Sequence, residues 1–277
     1  MLGTRLALLA GCTMALLAAG CGRQPPPTAA TPAVEPAPPA ITVEAPLPPP
    51  PSLDEVIEHD PRYVVGISYP REAAQWPGLA RVLHDYAEAA RAELAQAVAG
   101  LQEPPAAPYG LSLGFRILVQ TPEVVAVAAD GSLYTGGAHG QPLLERFVWL
   151  PGHDALLTSE QLLASPDGWQ AVADHVAEQL ATAAHTRAAD PSLEPDERQR
   201  LLRTALSNIA AGTEPRPENF ARFEPVTAGQ DGRITALRFV FPPYQVGPYA
   251  AGVHEAEVPA AVLLPHVAPN YRGLFAP

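Results

Sequence analysis

The chain has 277 residues, enough for one large domain or two small ones, and carries a formal net charge of −12. All 17 basic residues are arginines; the acidic balance argues against nucleic acid as a partner and favours, and would steer, a basic protein. Both cysteines, Cys12 and Cys21, fall at the N-terminus, so the folded body has neither a disulfide nor a thiolate metal site.

Residues 1–20 read as an export signal. Arg5 is the charged start, and Leu6–Ala19 is an apolar run too short to span a membrane. It ends in Leu17-Ala18-Ala19-Gly20-Cys21, which resembles a bacterial lipoprotein box and implies cleavage before Cys21 with lipid attached to its thiol. Leu9-Ala10-Gly11-Cys12 fits the same pattern but leaves too little apolar chain before the cut. Gly22 after the lipidated residue is compatible with the periplasmic face of an outer membrane in a Gram-negative cell. Cleavage removes Arg5 and no carboxylate, so the mature chain becomes more acidic.

Residues 21–51 carry proline clusters at 25–27, 38–39 and 48–51 and almost no large apolar side chains. Such a segment cannot bury enough surface to fold and favours polyproline II. At about 3.1 Å per residue it spans on the order of 90 Å, a tether between membrane and body.

The body, residues 52–277, follows in order. Ser52–Asp60 is expected to form one or two helical turns, and Tyr63–Tyr69 a strand stopped by Pro70. Pro77 opens a helix in which Leu79, Leu83, Ala90, Leu94 and Val98 recur at helical spacing, closed at Gly100. Leu111–Gln120 alternates apolar and polar residues and predicts a half-buried antiparallel strand. Glu123–Ala129 is a second strand, Asp130-Gly131 a hairpin turn signal, Leu133–Thr135 the continuation of the sheet, and Leu143–Leu150 a further strand.

Thr158 and Gln161 have capping-box spacing for a short helix through Leu163. A longer helix starts at Ser165-Pro166 with Trp169, Val172, Val176 and Leu180 as its stripe. Another runs from Pro195 to Ala211 with Leu201, Leu202, Ala205 and Ile209 inward. Phe220–Thr227 and Ile234–Phe241 pair as strands, and Glu257–Leu264 is the last strand, with Pro259 marking an edge. Runs of strands with inserted helices predict an α+β fold, a mainly antiparallel sheet covered by helices on one face.

The chemistry-bearing residues are sparse. His139, His153, Asp154, His254 and His266 show no HxH or HExxH spacing, so no metal and no cofactor is expected. No GxSxG occurs, and no catalytic residue is assigned. Glu160, Glu178, Glu194, Asp196 and Glu197 read as solvated helix faces, and Trp76, Trp149 and Trp169 as core. Gly136 and Gly137 suit positive φ in a tight strand connection, with His139 as a capping or packing group. Their backbone N–H groups are also compatible with an anion. Tyr244, Pro248 and Tyr249 sit on a proline-stiffened loop and suit either packing on the sheet edge or anchoring an interface.

Three blocks now line up: Tyr134-Thr135-Gly136-Gly137-Ala138-His139-Gly140, then Ala155–Trp169, then FPPYQVGPYAAG at 241–252 followed by Glu257-Val258-Pro259. In this order the chain resembles the RsiV-like family of bacterial extracytoplasmic domains across about Arg62–Phe275. The resemblance implies an α+β fold outside the cytoplasm and a partner contact at the Tyr244–Tyr249 loop, since the best-understood members bind lysozyme. The chain departs from the family in showing neither a cytoplasmic sigma-binding segment nor a membrane helix nor an appended deacetylase. The aspartate usual in the strand after the GGAH loop is not evident in Phe147–Gly152.

The expectation is therefore a lipid-anchored binding protein recognising a basic protein such as a lysozyme-like muramidase, or peptidoglycan. A cell-wall hydrolase or deacetylase and a structural envelope lipoprotein are the alternatives.

Overall fold

The computed structural model describes residues 49–228 and 232–277; the signal segment 1–20, Cys21 and the tether through residue 48 lie outside the described residues. β1 (Val56–Asp60) and β2 (Tyr63–Ser68) pair as an antiparallel hairpin. Arg62 closes its turn by donating from its backbone N–H and Nε to Asp60, both at 2.9 Å. The helical turns expected over Ser52–Asp60 are not formed. Val56, Glu58 and Asp60 are half-buried while Ile57 and His59 are exposed, a period of two too short to stand out among charged residues. Charge on an outermost strand is also what keeps such an edge from pairing with another chain.

α1 (Pro77–Ala99) carries Pro77 in its first turn and Gly100 at its end, as expected, although Gly100 keeps a right-handed conformation. It is the crossover that lets β2 run parallel to β3 (Tyr109–Gln120). β3 is thus antiparallel only to its other neighbour, β4 (Val125–Tyr134). β5 (Gln141–Leu150) and the short β6 (Ala155–Leu156) complete a six-stranded sheet in the order β1-β2-β3-β4-β5-β6. α1 covers one face of it, packing Leu79, Leu83 and Leu94 among Leu111, Phe115 and Val127.

Asp130-Gly131 is not a turn. Both residues lie inside β4, which runs unbroken to Tyr134. A Cβ on Gly131 would stand 2.0 Å from the Ser112 carbonyl oxygen, so glycine is there to let β3 approach. Asp130 is there for its charge, as described below.

α2 (Ser159–Leu162), α3 (Asp167–Ala188) and α4 (Pro195–Gly212) precede a second sheet. Its order is β7 (Phe223–Thr227), β8 (Ile234–Phe241), β9 (His254–Pro259), all antiparallel. The α+β architecture is as expected, but the strands divide between two sheets. Phe220 belongs to a 3-10 turn before β7 rather than to the strand. The strand expected over Glu257–Leu264 starts earlier, at His254, and stops at Pro259, where α5 (Ala260–Leu263) takes over. α3 buries Trp169, Val172, Val176 and Leu180 with Phe239, Val258 and, from β5, Val148. Trp149 and Trp169 are buried and Trp76 is half-buried. Leu201, expected to face inward on α4, is 49% exposed. Among the described residues, no helix is long and apolar enough to cross a membrane.

The two sheets meet along β5 and β7 through charge. The Arg146 side chain is only 6% exposed and that of Glu224 only 9%. Arg146 Nε donates to Glu224, while its Nη1 donates to Asp130 Oδ1 at 2.9 Å and to the Glu145 carbonyl oxygen at 2.8 Å. Arg238 on β8 lies 3.5 Å from Glu224 on one side and pairs with Glu257 of β9 on the other. At the far end Arg116 of β3 stands 3.7 Å from Asp130. Charges therefore alternate from β3 to β9 across both sheets. Removing one partner strands the other in a buried site, so Arg146→Ala is expected to cost about 3–5 kcal/mol in urea denaturation. An Arg146→Leu/Glu224→Leu pair is expected to cost less than either single replacement.

Candidate functional site

Residues 135–140 join β4 to β5. Gly136 and Gly137 have φ of 103° and 92°, so a sequence of two left-handed residues turns the chain here, as only glycine allows without strain. Tyr134 Oη donates to the Gly137 carbonyl oxygen at 3.3 Å and fixes the loop. His139 is exposed, with Nδ1 3.2 Å from the Gly140 carbonyl oxygen. A carbonyl only accepts, so Nδ1 carries the proton and, in the neutral ring, Nε2 is the acceptor.

The second loop joins β8 to β9. It is tied down at several points. The Tyr244 N–H donates to the Gly247 carbonyl oxygen at 2.9 Å, and the Gln245 N–H to that of Pro242 at 3.1 Å. Gln245 Nε2 donates to the Gly212 and Asn219 carbonyl oxygens at 3.1 and 2.8 Å, pinning the loop to the end of α4. Val246 is buried in the core. Tyr244, between these anchors, is held at φ 76°, a conformation that an aromatic residue adopts only under constraint. The residue is 63% exposed.

The two loops meet. Tyr244 Oη donates to His139 Nε2 at 3.2 Å across 105 residues of sequence. The Tyr249 ring stacks on His139 with centroids 3.9 Å apart and planes 17° apart, and its Oη reaches the Gly140 carbonyl oxygen at 3.4 Å. Tyr244 and Tyr249 stand 5.7 Å apart, centroid to centroid. Beside this cluster opens a cleft of about 460 Å³ lined by Gly136, His139, Gln141, Pro243, Tyr244 and Arg222. Five of the six candidates from the sequence, Gly136, Gly137, His139, Tyr244 and Tyr249, thus share one edge. Pro248 does not; it is exposed and starts the 3-10 turn (Tyr249–Ala251) that aims Tyr249.

Arg222 and Gln245 were not singled out by sequence. Arg222 donates from Nε to the Leu144 carbonyl oxygen at 2.7 Å and lies 3.5 Å from Glu145. Its carbonyl partner is 78 residues away, and no local pattern announces it. Gln245 sits inside the distinctive loop but resembles any polar loop residue until its carbonyl partners are seen.

Chemically the edge offers aromatic faces, a phenol and backbone carbonyls. The His139 nitrogens are engaged by a carbonyl and a phenol, so neither holds a carboxylate that would tune it as a base. The other candidate histidines are dispersed: His153 and Asp154 follow β5, His254 opens β9, and His266 lies against Gly168 of α3. Among the described residues, no group of three His, Cys, Asp or Glu side chains is gathered for a metal.

The fold places the chain in an α+β class of two sheets with a loop-built edge. No family model matches the chain, and no curated protein matches it. Among solved structures it is similar to a DUF3298 family protein from Pseudomonas aeruginosa, with a TM-score of 0.54 and 18% identity over 84% of this chain and 98% of that one. A DUF3298 family member from Bacteroides fragilis aligns over 80% of this chain and 95% of its own, at 16% identity and a TM-score of 0.48. At these identities the first likeness speaks for the fold alone, and the second carries no argument.

Replacing Tyr244 with glycine should remove the positive-φ cost and little packing, and so raise stability by about 1 kcal/mol; denaturation midpoints of the two proteins check this. A second expectation concerns His254 at the loop's exit. Burial, and then the Arg187 guanidinium, push its imidazole below the ordinary 6.5. The folded chain therefore binds fewer protons there than the unfolded one, so the stabilisation is present above 6.5 and is lost as pH falls through the depressed value. His254→Asn should flatten part of the stability loss between pH 6.5 and the depressed value; parallel profiles for both proteins would contradict it.

Proposed function

We propose that this chain is a lipid-anchored extracytoplasmic binding protein. Its recognition edge is the His139–Tyr244–Tyr249 cluster, and its partner is a basic protein, with a lysozyme-like muramidase as first candidate. The observation that carries this reading is Tyr244: strained, exposed and hydrogen-bonded to a loop 105 residues away. Strain in a well-anchored residue is retained where function needs it. Rigid tyrosines lose little entropy on binding, which makes them effective interface anchors.

Charge supports the same partner class. A chain of net charge −12 attracts a basic surface, and aromatic faces accept its arginines and lysines as cation–π partners. The resemblance to RsiV-like sensors in the same two loops supports lysozyme among basic proteins. Cys21 supplies the lipid anchor and the proline-rich tether the reach. The cleft beside the rings, with Arg222 on its wall, favours peptidoglycan fragments as the second ligand to try. The hydrolase reading has less to stand on, since His139 is turned to a phenol and a carbonyl.

Immobilised lysozyme should retain the purified chain at low salt and less of it at physiological salt. Tyr244→Ala should weaken binding by about tenfold or more, as removal of a central aromatic anchor does. No complex at either salt would rule out lysozyme and leave the peptidoglycan fragments to be titrated against the same variant.

A further inference from the structure

The back of the Tyr244 loop borders a different feature. α3 and α4 pack side by side, and α4 carries an apolar stripe wider than α3 covers. Leu202, Ala205 and Ile209 meet the core, while Leu201 turns out toward solvent. Between the two helices and the loop lies a groove of about 480 Å³ lined by Ala188, Leu201, Ala205, Val246 and Ala251 among others. That volume is in the range of small-molecule sites, which run from about 300 to 1,000 Å³.

The rim is cationic in an acidic protein. Arg187 and Arg200 both line the groove, against a single carboxylate, Glu197. Among the described residues neither arginine forms an ion pair. Arg187 Nη1 lies 3.4 Å from His254 Nε2; a guanidinium only donates, so His254 presents its lone pair there and is neutral. Two uncompensated guanidinium groups beside an apolar trough match one kind of ligand, a molecule with an apolar chain and an anionic head.

We propose that this groove binds an amphiphile with a single apolar chain and one carboxylate or phosphate head, the chain lying over Leu201 and Ala205 and the head meeting Arg187 and Arg200. An inorganic anion alone would leave the trough wet, and a neutral or cationic amphiphile would leave the arginines unmatched. The site is separate from the recognition edge, and the proposal does not rest on the partner assigned to that edge.

The test is calorimetric titration of the full-length chain with dodecanoate below its micellar concentration, with dodecyltrimethylammonium and dodecyl phosphate in parallel. The expected result is saturable one-to-one binding of both anionic amphiphiles, at least about tenfold tighter than the cationic one. Arg187→Gln/Arg200→Gln, two exposed positions, should weaken dodecanoate by about tenfold or more while leaving the thermal midpoint unchanged. Ala205→Trp should fill the groove and abolish binding, and Tyr244→Ala should leave it intact. Absence of saturable binding, equal affinity for the cationic amphiphile, or undiminished dodecanoate binding in the double arginine variant would each overturn the proposal.

Discussion

The edge where the two loops meet is aligned by the buried contact between Arg146 of β5 and Glu224 of β7. The two loops that meet at Tyr244 come from different sheets, one from the β4–β5 connection and one from β8–β9. Among the described residues no backbone ladder joins those sheets, since β5 pairs with β4 and β6, and β7 with β8. Side chains therefore set their alignment. Arg146 reaches across to Glu224, and Arg222 of the second sheet's approach reaches back to the Leu144 carbonyl oxygen of β5. Burying such a pair costs several kcal/mol of desolvation per ion, which the mutual attraction and the further acceptors at Asp130 and Glu145 offset. Its value lies in register. Beside the apolar core that Val148 of β5 shares with Phe223 and Phe239, a guanidinium with fixed donor directions fits only where its acceptors are.

Flanking charges extend that constraint. Glu224 accepts from Arg146 and Arg238, and Arg238 in turn holds Glu257 on the outer strand. The outer members, Arg116 and Glu257, are largely exposed and contribute little by themselves. Their role is to leave no member of the buried centre with an unmatched neighbour. From that centre the geometry passes outward through rigid pieces: the strands, the Gly136-Gly137 turn, and a loop pinned by Gln245 to the end of α4. An aromatic cluster built this way is organised in advance, so a molecule binding there would spend little on ordering it.

Much of this was legible in the sequence where the signal is local. α1, α3 and α4 follow from helical periodicity, and β3 from its alternation, because a single element displays the whole pattern. The misreadings share a physical cause. Asp130-Gly131 has the composition of a turn, but each residue answers to a neighbouring strand, Gly131 to β3 and Asp130 to Arg146. Residues 56–60 look like a polar helical turn until β2 supplies the pairing. Leu201 belongs to an apolar stripe, yet nothing local says how much of that stripe α3 will cover. Arg146, Glu224 and Arg222 were invisible for the same reason. Their partners lie 78 residues away, and an isolated arginine or glutamate in a strand carries no mark of where its charge will be met.

The loop from Pro242 to Gly252 faces two ways. Its front carries Tyr244 and Tyr249; its back supplies Val246 and Ala251 to the groove beside α4. Val246 is buried in the core between these faces, and Tyr244 is hydrogen-bonded to Gly247 immediately beyond it. A segment so anchored presents both faces ready-made, which lowers what a ligand on either side would spend on ordering it. Tyr244 marks how firmly it is held, because its φ of 76° persists only while the surrounding bonds hold it.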